Sequence, residues 1–288
     1  MTRVQRIALT RGRHPRYSHR VSAETDPKTL AAEAAQTILA RVGVASIDVA
    51  LVLGSGWSGA SSGLGEAIGE CELAEVPGFA KPVVVGHGGE LVLIRTGTGR
   101  TAALFTGRTH FYEGRGVAPV VHGVRTAAAA GARTIVLTNG CGGLNPAWSP
   151  GTPVLIRDHI NLTSATPLEG ATFIDMTDAY APHLRALARE VDPTLDEGVY
   201  VQFRGPQYET PAEVRMAKAI GGDLVGMSTT LETIAAREAG MDVLGISLVT
   251  NAAAGISPTP LEHAEVIAAG KAAAPRLRAL LAGLLERL

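Results

Sequence analysis

At 288 residues, 46% of them hydrophobic, the chain can bury a large core and falls within the range of one large α/β domain. A formal net charge of −1 provides no general field for nucleic acid or an anionic membrane surface, so an anion site must be local and small ligands fit better than polymers. Two cysteines, Cys71 and Cys141, with no Cys/His spacing of the zinc type, suggest neither a disulfide framework nor a structural metal, and the absence of a membrane-length apolar run or a secretory h-region points to the cytoplasm.

Residues 1–26 differ from everything that follows, carrying Arg3, Arg6, Arg11, Arg13, Arg16 and Arg20 with no acid before Glu24. They read as a flexible basic extension. A transit peptide is also Arg-rich and acid-poor, and a basic arm could touch nucleic acid, but a solvated segment is the plain reading. From Asp26-Pro27 onward, Ala/Leu-rich helical stretches alternate with short β-branched runs and no linker intervenes, so residues 27–288 read as one α/β domain. In chain order the pattern predicts a helix over 29–42, strands over 49–53, 83–85, 91–95 and 101–105, and a helix over 117–130. Strands follow over 134–139 and 153–156, a helix over 183–190, a strand over 199–203 and a helix over 211–220. A strand over 224–226, a helix over 229–239, a strand over 243–249 and a helix over 261–288 complete the order. Residues 161–178 are long, aperiodic and rich in Ser, Thr, Pro and Gly, which fits either an active-site cover or disorder.

The Gly, Asn, Ser and His residues cluster just after the apolar runs, at the C-terminal ends of strands, where α/β sheets bind ligands. Val49–Leu53 runs into Gly54-Ser55-Gly56, a small-residue turn whose amides and hydroxyl can face a phosphate oxygen or simply turn the chain. A dinucleotide site would need different glycine spacing and an acid closing a second strand, and Glu70 and Glu72 lie in no clear strand. Strand 101–105 leads into Gly107-Arg108-Thr109-His110-Phe111-Tyr112-Glu113-Gly114. There Arg108 and His110 sit two apart and would share one face if the backbone stays extended, and the planar donor fork of Arg suits phosphate; the plainer alternative is a surface turn with a solvated Arg and a packed His. Pro77-Gly78 and Gly86-His87-Gly88-Gly89 form a further flexible loop that supplies His87 or is a hairpin tip. Thr138-Asn139-Gly140-Cys141-Gly142-Gly143 reads as a strand ending in a glycine-rich turn whose amides could complete an anion cradle. In Gly226-Met227-Ser228-Thr229-Thr230-Leu231-Glu232, Ser228 or Thr229 suits a helix N-cap with Glu232 as capping-box partner, and a hydroxyl there also reaches an anion at the helix N-terminus. Gly205-Pro206-Gln207-Tyr208-Glu209-Thr210 and Leu248-Val249-Thr250-Asn251 place hydrogen-bonding side chains beside a chain reversal and a strand end. Together these look like a reader of a purine base, although Glu209 also suits a helix N-terminal acid and Asn251 a strand-end cap. Asp158-His159 resembles an acid–base pair, but neighbours on a strand face opposite ways, so it is assigned to structure.

In order and approximate spacing, these motifs, with Ile156-Arg157-Asp158-His159-Ile160-Asn161 and Leu144-Asn145, resemble the trimeric purine nucleoside phosphorylases. The likeness runs from Val49 to the C-terminal helix and excludes the basic extension. It implies a central mixed, partly barrel-like β-sheet flanked by helices, no cofactor or metal, and inorganic phosphate as a co-substrate beside a small-molecule nucleoside. It implies a phosphate site of Ser55, Arg108, His110, the Gly140 amide and Ser228, with His87 on a nearby mobile loop. Ribose would lie against Tyr112 and Met227 with His263 at its 5′-hydroxyl, and the base against Tyr208, Glu209 and Asn251. Family members are homotrimers in which a neighbouring aromatic closes the sugar pocket, and Phe173 matches that position. The chain departs from the family in having Tyr208 where Phe is frequent and Ala252 where vertebrate members have Lys, which resembles the bacterial branch.

Phosphorolysis needs an aligned phosphate, an oxocarbenium-like sugar and relief of charge on the departing purine, with no covalent nucleophile on the enzyme. The implied catalytic residues are His110, Glu209 and Asn251: Asn251 donates to N7, and Glu209 accepts from N1–H and the guanine 2-amino group. The result would be cleavage of inosine, guanosine and their 2′-deoxy forms, with adenosine poor. The methylthioadenosine phosphorylase branch generally carries Asp where this chain has Asn251. A nucleotide sensor without turnover would not need the phosphate set.

Overall fold

The computed structural model describes residues 26–80, 89–257 and 262–288, with only the backbone of His263; the expected strand over 83–85, His87 and residues 1–25 lie outside the described residues. The described residues form six α-helices and one nine-stranded sheet. The strands are β1 (Val49–Val52), β2 (Glu66–Glu72), β3 (Glu90–Arg95), β4 (Thr101–Phe105), β5 (Thr134–Gly143), β6 (Pro153–Asn161), β7 (Asp196–Gln202), β8 (Leu224–Gly226) and β9 (Asp242–Ala252). The helices are α1 (Pro27–Val42), α2 (Ala118–Ala129), α3 (Pro182–Val191), α4 (Pro211–Ala219), α5 (Thr230–Glu238) and α6 (His263–Leu285).

Strand order is β2-β3-β4-β1-β5-β8-β7-β6-β9, and β9 also pairs with β5. That last pairing closes β5, β8, β7, β6 and β9 on themselves, while β1, β4, β3 and β2 extend the sheet outward from β5. The mixed, partly barrel-like sheet implied by the resemblance is thus present. The fully buried β1 alternates its side chains across it: Ala50 and Val52 pack with α1, α2 and α5, and Val49 and Leu51 pack with α3 and α6.

Local chemistry sets the helix ends. Asp26 accepts from the Thr29 amide at 2.9 Å and Pro27 opens α1, which Gly43 ends in the left-handed region. Thr210 and Glu213 form a capping box before Pro211 at the head of α4. Among the described residues, no helix is long and apolar enough to cross a membrane.

Three expectations need correction. Residues 66–72 form β2, so Glu70 and Glu72 do lie in a strand; it is the mostly exposed edge of the sheet, and an irregularity between Ala67 and Gly69 interrupts the alternation that marks a strand. It pairs antiparallel to β3, with β3 and β4 between it and β1, so neither acid closes a strand beside Gly54-Ser55-Gly56. Second, Gly140-Cys141-Gly142-Gly143 is not a turn but the end of β5, paired with β9 throughout and with β8 at Gly142 and Gly143. Its glycines serve close packing: a Cβ on Gly142 would stand 3.1 Å from Val225 and one on Gly143 3.0 Å from Val249. Third, β6 runs on through Arg157-Asp158-His159-Ile160-Asn161, with a register shift between Ile156 and Asp158. The stretch after Asn161 is neither helix nor strand; side-chain turns at Asn161–Thr163 and Asp175–Thr177 shape it, and its Pro167 carbonyl accepts from Arg125 at 2.8 Å.

Candidate active site

β1, β4, β5 and β9 run parallel, so Gly54-Ser55, Gly107-Arg108, Asn139-Gly140 and Thr250-Asn251 emerge toward the same end of the sheet. The short β8 runs antiparallel to β5, which carries Met227-Ser228 back alongside Gly140 and Asn139. These segments surround a cavity of about 420 Å³. Ser55, Arg108, His110, Gly140 and Ser228 line it, as do Tyr112 and Met227, and Tyr208, Glu209 and Asn251. Every expected site residue with a described side chain lies on this cavity except Phe173, which is 91% exposed on the loop after β6. The side chains of His87 and His263 lie outside the described residues.

Arg108 crosses the ends of β1 and β5. Its Nη1 donates to the Thr138 carbonyl at 2.6 Å and to Ser228 Oγ at 3.4 Å, and its Nε donates to Glu232 Oε1 at 3.1 Å. This placement requires glycine at 54, where a Cβ would stand 2.4 Å from Arg108 Nη1. The Arg108–Glu232 pair is 3% and 2% exposed, and removing one partner from a buried pair costs about 3–5 kcal/mol. Arg108 Nη2, also buried, has no partner among the described residues. His110 stacks on Tyr112 with ring centroids 4.7 Å apart, and its amide donates to Glu113 at 2.7 Å.

Thr229 caps α5 at φ 84°, a conformation that costs a β-branched residue about 1–3 kcal/mol. Its amide donates to Glu232 Oε2 at 3.0 Å, and its hydroxyl accepts from Asn139 Nδ2 at 2.9 Å and lies 3.2 Å from Ser228 Oγ. Thr230 is tied by both its amide and its hydroxyl to Gln202 Oε1. Capping, one of the two sequence readings of this segment, is therefore real, and the same residues hold Ser228 at the cavity wall.

At the other end, helix capping belongs to Thr210 and Glu213, which leaves Glu209 outside the cap and facing the cavity. Glu209 is 7% exposed, its Oε1 has no partner among the described residues, and burial pushes its carboxyl above the usual carboxylate range. A buried carboxylate in this state is satisfied by a proton or by a ligand N–H. Asn251 lies within β9 rather than capping its end: the register jumps from Cys141↔Val249 to Gly142↔Asn251, and this bulge at Thr250 turns Asn251 to the cavity. Thr250 Oγ1 donates to the Cys141 carbonyl at 3.1 Å and accepts from Asn251 Nδ2 at 3.3 Å. The cavity thus offers oxyanion donors at one end and an unsatisfied carboxylate with an amide at the other.

The family model described as "Phosphorylase superfamily" matches residues 48–286. The chain belongs to the phosphorylase superfamily. It is 62% identical over 267 residues to a purine nucleoside phosphorylase of Cellulomonas sp, covering 91% of this chain and 95% of that one. It is 56% identical over 262 residues to the purine nucleoside phosphorylase of Mycobacterium tuberculosis, covering 91% and 97%, and 40% identical over 257 residues to that of Mus musculus, covering 83% and 88%. Within this superfamily member, sequence reasoning missed Cys141, Pro206, Val225, Ala253 and Val266 as cavity wall, since apolar and backbone-lining residues carry no chemical signature. Cys141 donates its thiol to the Leu248 carbonyl at 3.4 Å, and burial pushes that thiol up to about 12. His159 and Tyr180 pair at 3.0 Å away from the cavity, in keeping with the structural reading of Asp158-His159.

Proposed function

We propose that the protein is a purine nucleoside phosphorylase, a pentosyltransferase that catalyses the reversible phosphorolysis of inosine, guanosine and their 2′-deoxy forms to the free base and (deoxy)ribose 1-phosphate, within purine salvage. One observation carries this reading: a single cavity joins the donor set of Ser55, Arg108, His110, Gly140 and Ser228 to Glu209 and Asn251. In this scheme phosphate is held at the first end, in line with the anomeric carbon, and stabilises the oxocarbenium-like sugar, which lies against Tyr112 and Met227. Asn251 donates to N7 as charge collects on the leaving purine, Glu209 accepts from N1–H, and Tyr208 stacks on the base. His87 and His263 complete the phosphate and ribose contacts by resemblance to the family.

The partnerless Oε1 of Glu209 supports 6-oxopurines, since adenine presents an unprotonated N1 to a carboxylate. Sites with buried polar partners reject analogues by about 10⁴ or more. Purified protein with phosphate should therefore cleave inosine and guanosine and leave adenosine nearly untouched; equal rates on adenosine and inosine would refute the roles given to Glu209 and Asn251. We further read residues 27–288 as the catalytic domain of a cytoplasmic homotrimer, with Phe173 closing a neighbour's sugar pocket. The exposure of this aromatic supports that reading, and sedimentation as a monomer would count against it.

A further inference from the structure

We propose that Glu232 is a positioning residue for phosphate: its single carboxylate locks the Arg108 guanidinium and the Ser228 segment into one preset unit. The proposal rests on the reading of Arg108 and Ser228 as phosphate ligands. A buried carboxylate 3.1 Å from the arginine of an anion site opposes the field that draws the anion in, so its place there calls for a physical reason. Capping alone does not supply one. Capping uses Oε2, which accepts from the Thr229 amide, whereas Oε1 is committed to Arg108 Nε across 124 residues of sequence. With Nε held by Glu232 and Nη1 by the Thr138 carbonyl and Ser228, the plane of the guanidinium is fixed and Nη2 is left without a protein partner among the described residues. The same carboxylate holds Thr229 at φ 84°, and that backbone sets Ser228 beside Arg108. Two phosphate ligands, one following β4 and one following β8, are therefore aligned by one acid on α5 before any anion arrives.

The test is Glu232→Gln. The two donors meet different oxygens of Glu232, and in Gln one of those positions becomes an NH2 donor, so in this geometry the side chain can satisfy Thr229 N or Arg108 Nε but not both. The expected result is a fall in kcat/KM for phosphate of about tenfold to a hundredfold, while guanine binding measured without phosphate stays within about twofold. Phosphate kcat/KM within about twofold of wild type would overturn the proposal, and so would phosphate and guanine affinities falling together, which is the mark of a merely structural acid. Should Glu232→Gln not fold, Glu232→Asp keeps the charge but is one methylene short of Arg108, and the same split is expected. Failure of both to fold would count against a positioning role and for a structural one. Arg108→Ala run in parallel separates the two levels. If it leaves phosphate kcat/KM unchanged, the phosphate reading itself fails; if it lowers kcat/KM and the Glu232 variants do not, only the role of Glu232 fails.

Discussion

At the Arg108 end of the cavity the polar groups are wired to one another: Arg108, Thr138, Ser228, Thr229, Glu232 and Asn139 form one buried network drawn from β5, from α5 and from the segments that follow β4 and β8. At the Glu209 end the Oε1 of the carboxylate has no partner among the described residues, and Asn251 donates its amide to Thr250 Oγ1 at 3.3 Å. The first end is set by the protein itself, and on the proposed function the second is completed by the base. Damage to the first should therefore appear in both stability and phosphate use, whereas damage to the second should appear in base selection and can even relieve the free protein.

The largest effect is expected from Arg108→Ala. Steady-state assays should show phosphate kcat/KM lower by about 10²–10³-fold, the size of losing a preset oxyanion donor. Thermal melts should fall as well, because Glu232 is left buried without its countercharge. A kinetic loss without any loss of stability would break the picture of a wired end.

Asn251→Asp comes next, with inosine turnover lower by about 10²-fold and the preference over adenosine relaxed. Unchanged kinetics would remove Asn251 from the mechanism. Glu209→Gln should blur base selection and, above the raised carboxyl value where the wild-type protein carries a buried charge with an unpartnered oxygen, should stabilise the free protein in denaturant unfolding. The sign follows from burial raising the Glu209 carboxyl above its unfolded value: the folded state holds the proton more tightly, so stability is greatest below the unfolded value and is lost as pH rises through the folded one. Base binding, which needs the carboxylate, should run the other way and weaken as pH falls through that raised value. A binding profile with no such acid limb would show that Glu209 does not face the base.

The fold was legible where burial leaves a clean pattern. The strands over 101–105 and 224–226 match their sequence spans to the residue, being short apolar runs bounded by polar or glycine residues. Strand β2 is hidden in the sequence because an irregularity between Ala67 and Gly69 interrupts its alternation, and the end of β5 resembles a turn because glycines that permit close strand packing look like glycines that permit turns. At the site, the residues with distinctive chemistry were named from sequence, and those with described side chains, Phe173 apart, surround one cavity. What the sequence could not disclose was the link between Arg108 and Glu232. In the sequence Glu232 shows only as a cap, because its partner in the capping box is three residues away, whereas its other partner is 124 residues away and is met only in the fold.

The measurement that bears most directly on this account is the release of hypoxanthine from inosine by the purified protein with and without inorganic phosphate. Hypoxanthine and ribose 1-phosphate should form together in equal amounts, and only when phosphate is present. Hypoxanthine released at the same rate without phosphate, or tight inosine binding with no turnover in its presence, would contradict it.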